Sequence, residues 1–151
     1  MRQLSPHRLW VGNIVDVRDL RSVLNQGIHA IVDLAAHEPP PTITRDLVYV
    51  RCPLLDNSGN SPWLVCLAVD NVSRLLHAKV PTLVYCSAGM SRTPAIVAAA
   101  MAIESKRPLA DCLREITENV PHDVSAGLIA DVQSVLGQCW FTDFTEARVK
   151  L

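Results

Sequence analysis

At 151 residues and 16.6 kDa, with 49% hydrophobic and 19% charged residues, the chain is long enough to close a hydrophobic core and too apolar to stay disordered. A formal net charge of −1, from 14 basic and 15 acidic residues, offers no basic footprint, so nucleic acid is not an expected partner. The first ten residues lack an apolar signal core and the longest apolar run, 94–103, is far short of a membrane span; the expectation is one cytoplasmic domain over 1–151, with its core at about 9–136 and no membrane partner.

Residues 9–15 read as a first strand, and 17–26 as a helix with Leu20, Val23 and Leu24 inward and Gly27 at its stop. A continuous apolar strand follows over 28–35. Pro39, Pro40 and Pro41 end it, and 47–55 resumes an extended, partly alternating pattern. Turn formers fill 56–60. Ser61-Pro62 then supplies a cap and a first-turn proline for a helix to about His77, whose buried side is drawn from Leu64, Leu67, Ala68, Val72 and Leu75. Residues 82–85 are too apolar for a strand exposed on both faces, and helices are predicted over 91–105, 110–119 and 124–136. The tail from Cys139 onward is mixed in character and is expected to be partly ordered or frayed. Strands early, helices late and helical crossovers between them predict an α/β fold: a central sheet of about four to five mostly parallel strands with helices on both faces.

Five cysteines (Cys52, Cys66, Cys86, Cys112 and Cys139) are odd in number and have no close pairs, which argues against a disulfide framework and against zinc-ligand spacing. His7, His29, His37, His77 and His122 show no ligand spacing either, so neither metal nor cofactor is expected.

Chemistry concentrates in the window Val84-Tyr85-Cys86-Ser87-Ala88-Gly89-Met90-Ser91-Arg92-Thr93. A cysteine closes a strand, small residues follow, and a helix begins. Ser87, Ala88 and Gly89 let the backbone curl so that successive N–H groups, those of Met90 and Ser91 included, face one concavity that the helix N-terminus makes more positive. That is a cradle for a phosphate dianion. The same groups, with the Arg92 guanidinium, favour the Cys86 thiolate over the thiol, and the planar fork of Arg92 suits two phosphoryl oxygens. A cysteine and an arginine at this spacing are weak evidence alone; the strand, the small residues and the helix in one window make the pattern specific. A reaction at such a site needs a proton donor for the leaving oxygen, and Asp56, in a turn between strand and helix, is the candidate. Asp70 and Asp33 are weaker rivals, and Asp56 with Asn57 and Gly59 also reads as a plain turn.

This segment resembles the Cys-x5-Arg signature loop of the protein tyrosine phosphatase superfamily, in its small dual-specificity branch. Leu9-Trp10-Val11-Gly12-Asn13 is similar to the opening strand of that branch, Gly27 through Leu34 to its second strand, and the Asp56 segment to its general-acid loop. The resemblance implies a phosphatase-like fold and a metal-free, two-step displacement through a phosphocysteine on a phosphorylated protein or peptide. It further implies that Ser91 hydrogen-bonds within the loop and that Thr93 assists breakdown of the phosphoenzyme, plain helix capping by Ser91 being the alternative. Tyr85 stands where the family has histidine; it carries no charge near neutral pH and points to a slower enzyme. Two other readings stay open, a catalytically weak phosphate-binding module and a thiol-based sulfurtransferase or arsenate reductase, for which Cys52 is the one cysteine placed to approach Cys86. The absence of lysine and arginine at 87, 88 and 90 disfavours phosphoinositides.

Overall fold

A computed structural model of the chain describes residues 1–44 and 46–137. In chain order the elements are β1 (Arg2–Gln3), β2 (Leu9–Asn13), α1 (Ile14–Arg18), α2 (Leu20–Asn25), β3 (Ala30–Ala35), β4 (Val48–Leu54), α3 (Pro62–His77), β5 (Thr82–Cys86), α4 (Arg92–Ser105), α5 (Leu109–Thr117) and α6 (Ala126–Val135). The sheet order is β1-β2-β5-β3-β4. β5 pairs parallel with both β2 and β3, β3 pairs parallel with β4, and the short β1 runs antiparallel at the edge. The expected mostly parallel α/β sheet is therefore present.

Side chains alternate across the central strand and so split the core into two. Val84 and Cys86 face the cluster built by α3, α4, α5 and α6, while Leu83 and Tyr85 face a smaller one that includes Val17 of α1 and Val23 of α2. Helices thus cover both faces. α4 is buried at every position from Arg92 to Ala102, because it lies between the sheet and the other helices on the larger side. Among the described residues no helix is long and apolar enough to cross a membrane.

Four details differ from the sequence reading. The first strand stops at Asn13, whose side chain accepts the N–H groups of Val15 and Asp16 and starts α1 early. The helix expected over 17–26 is two helices, because Asp19 caps the second by accepting the Ser22 N–H at 3.1 Å. Leu24, expected inward, is exposed, and Val17 is buried instead. On α3 the buried stripe is Val65, Cys66, Ala68, Val69, Val72, Ser73 and Leu76, so Leu67 faces outward and Leu64 and Leu75 are only partly covered. The tail from Cys139 lies outside the described residues.

Candidate functional site

Register places the site. Parallel strands deliver their C-terminal ends to one edge of the sheet, and Cys86 is the last residue of the central strand, level with Asn13 of β2. The chain turns there into α4 through residues 87–91. Gly89 makes the turn possible: its φ is +78°, and a Cβ on it would lie 2.7 Å from the Gly12 carbonyl oxygen. The turn is packed on β2, and the Ile14 N–H donates to the Ser87 carbonyl at 3.2 Å. Ala88 is exposed, while Ser87, Gly89 and Met90 are half-buried.

The Gly89 N–H points at the Cys86 sulfur, with N to Sγ at 3.3 Å. Arg92 closes the same ring from the first position of α4. It is 3% exposed, so its five donors must be met by protein or ligand. Nη2 donates to Ser87 Oγ at 2.7 Å, and Nη1 donates to the Leu54 carbonyl at 3.1 Å and, more weakly, to that of Leu34 at 3.5 Å. Nε lies 3.2 Å from Oδ1 of Asp56, an ion pair without hydrogen-bond alignment. Asp56 is thus brought to the arginine from a segment more than thirty residues away. Cys86 itself is 1% exposed.

The Ser91 hydroxyl differs from expectation. Ser91 neither caps α4 nor bonds within the turn: its Oγ donates to the Asp56 carbonyl at 3.4 Å, tying the two loops together. Thr93 is completely buried, and its Oγ1 has no hydrogen-bond partner. Asp70 lines a groove with Trp63, Leu67 and Arg74 along α3. Asp33 is buried on β3, where it accepts the Ala35 N–H and the Tyr49 hydroxyl and pairs with Arg51 at 3.5 Å. Neither rival aspartate is paired with Arg92 as Asp56 is.

One group was not anticipated. Glu38, in the loop after β3, reaches the turn: the Ser87 side chain, backed by the charge of Arg92, holds its carboxyl below the ordinary carboxylate range. Its Oε2 is buried without an aligned partner. The signal available for it was positional, since the loops at the carboxyl ends of parallel strands gather site residues. Tyr85 was anticipated beside the cysteine, but its surroundings were not. Its hydroxyl is buried beside Asp33 and Tyr49, on the face opposite the sulfur, and burial first, then the Asp33 carboxylate, push its ionisation well above that of a free phenol. The same two causes push Tyr49 up to about 12 and the Cys52 thiol up to about 11. Among the described residues, no three His, Cys, Asp or Glu side chains form a group that could hold a metal ion.

Comparison with known proteins bears on the family and the fold. A family model described as Tc-R-P, "Polymorphic toxin system, DSP-PTPase phosphatase", matches residues 11–106. Human dual specificity protein phosphatase 15 is 31% identical over 94 residues, covering 60% of this chain and 30% of that protein, so the chain spans less than a third of the length of this relative. Two solved structures share the fold at low identity. Human DUSP28 superposes with a TM-score of 0.74 at 17% identity, over 86% of this chain and 92% of that one. The human tyrosine phosphatase-like serine/threonine/tyrosine-interacting protein superposes with a TM-score of 0.73 at 20% identity, over 85% of this chain and 91% of that one.

Proposed function

Because the chain belongs to the DSP-PTPase phosphatase family, we propose that it hydrolyses phosphate monoesters of phosphorylated protein side chains, phosphotyrosine first, through Cys86. One observation carries this reading: the Cys86 sulfur, the Gly89 N–H and the Arg92 guanidinium converge on a turn at the N-terminus of a buried helix.

In the first step Sγ of Cys86 attacks phosphorus. The S–P bond forms as the P–O bond to the substrate breaks, and Asp56 gives its proton to the departing oxygen. Arg92 and the N–H groups of residues 87–92 hold the equatorial oxygens, whose charge is greatest in the transition state. In the second step water attacks phosphorus, Asp56 takes back a proton, and the S–P bond breaks to free phosphate and restore the thiolate. Thr93, with its unengaged hydroxyl, has a donor available to the departing sulfur. The incoming phosphoryl group takes over the Arg92 donors now shared with Ser87 and Asp56, which frees Asp56 for its proton transfer.

Glu38 adds a negative group at the rim and disfavours substrates with several phosphates, in line with the absence of lysine and arginine at 87, 88 and 90. The described cysteines, Cys52, Cys66, Cys86 and Cys112, are all free, which suits a reducing compartment such as the cytoplasm. Turnover of para-nitrophenyl phosphate and of a phosphotyrosine peptide tests the reading. Wild type should hydrolyse both, and Cys86→Ser neither. Tight phosphopeptide binding with no turnover in wild type would instead favour the phosphate-binding module.

A further inference from the structure

The segment that carries Asp56 is closed at its base by one side chain. Asn60, 8% exposed, accepts the Leu55 N–H on Oδ1 at 2.7 Å and returns Nδ2 to the carbonyls of Leu55 at 3.2 Å and Asn57 at 3.1 Å. Its amide acts as a strand partner for Leu55, the residue immediately before Asp56. The anchor for Asn60 lies outside the segment. Its backbone N–H and its Nδ2 both donate to Oδ2 of Asp131 on α6, at 3.0 and 3.1 Å. α6 also presses on the turn directly, because a Cβ on Gly127 would lie 2.8 Å from Cβ of Ser58. On the opposite side Ser91 holds the Asp56 carbonyl, and Arg92 faces its carboxylate. Every one of these contacts is made within the protein, so none of them waits for a substrate.

We propose that Asn60 and Asp131 are positioning residues that hold Asp56 at the rim of the phosphate cup in advance of substrate, so that proton transfer needs no closing movement of residues 55–60. The inference rests on the assignment of Asp56 as proton donor. A carboxyl that shifts by an ångström loses most of its advantage as an acid, and a loop stapled at both ends avoids that loss. The loss should appear only where the leaving oxygen needs a proton.

The test is a series of aryl phosphates spanning acidic to weakly acidic phenols, with Asp56→Asn as the reference. For Asn60→Ala and Asp131→Ala, kcat/KM on phenyl phosphate and a phosphotyrosine peptide should fall by about tenfold or more. On the most acidic phenol it should fall by less than about threefold, so that the leaving-group dependence steepens toward that of Asp56→Asn. Asp131→Asn, which keeps an acceptor oxygen, should behave as wild type. A uniform fall across the series, or none, would overturn the proposal. Amide exchange supplies a measurement independent of turnover. The Leu55 and Asn60 amides should be protected to the same degree with and without orthovanadate, and should lose protection in a folded Asn60→Ala protein. Protection that appears only with orthovanadate means a loop that closes on its ligand, and the proposal fails. If wild type hydrolyses nothing, the phosphatase assignment falls, while the exchange data still decide whether the segment is held in place.

Discussion

Two loops meet at Arg92, and they are held in opposite ways. The cup of residues 86–92 is fixed by main chain: a glycine with φ of +78° pressed against the Gly12 carbonyl, a Ser87 carbonyl bonded by the Ile14 N–H, and a Met90 carbonyl bonded by the Asp123 N–H. The Asp56 segment is fixed by side chains, through Asn60, Asp131 and Ser91. Backbone contact has no slack, so one added carbon there displaces the whole turn. A side-chain clamp fails by degrees, one hydrogen bond at a time.

The largest effect should therefore come from Gly89→Ala, which adds a Cβ where 2.7 Å separates it from a carbonyl oxygen and forces a left-handed backbone on alanine. Activity on every aryl phosphate, good leaving groups included, should drop by about 10² or more, since the cup itself is misplaced. A drop confined to poor leaving groups would erase the contrast between the two loops. Gly127→Ala comes next. Its Cβ would push Ser58 and shift the acid segment, with a loss of about three- to tenfold on weakly acidic phenols only, and Ser58→Gly in the same chain should recover it.

Smaller still is an effect of pH on stability. Tyr49, pushed up to about 12, and Cys52, pushed up to about 11, hold their protons more tightly folded than unfolded. The unfolded chain thus sheds protons first, and stability should be full below pH of about 9 and fall steadily toward 11 and 12. Thermal melts across that range, with Tyr49→Phe and Cys52→Ala, should show a shallower decline in the variants. The smallest change is expected from Tyr85→Phe. The hydroxyl it removes has no aligned hydrogen bond, and Asp33 keeps Tyr49, Arg51 and the Ala35 N–H. Stability should move by less than about 1 kcal/mol, and turnover by less than about threefold, because this side chain lies across the sheet from the sulfur.

The contrast between the loops also governs what could be read without coordinates. The cup was legible because its parts are contiguous: cysteine, small residues, arginine and helix fall within ten positions and dictate a backbone shape together. Asp56 was legible as a carboxylate in a turn before a helix that opens on Pro62, although Ser61 makes no side-chain cap there. The clamp was not, because Asn60 and Asp131 stand 71 residues apart and no local pattern links them. Around α1 and α2, the Asp19 cap cuts a helical pattern that hydrophobic spacing had joined, and the Asn13 cap begins a helix where the strand pattern ran on. In α3 nearly every position from Trp63 to Val69 is apolar, so spacing left the phase of the buried stripe open, and packing against β4 and α4 chose Val65 and Val69 over Leu64 and Leu67.

The carbonyls of Leu34 and Leu54 that receive the Arg92 guanidinium belong to the ends of two neighbouring parallel strands. No substitution can delete a peptide oxygen, so any apolar residue that fills either place in the core leaves that aim intact. In the proposed mechanism, recognition of the phosphoryl group is in this respect inherited from the sheet's geometry, and the identities of residues 34 and 54 are free to drift without retuning it.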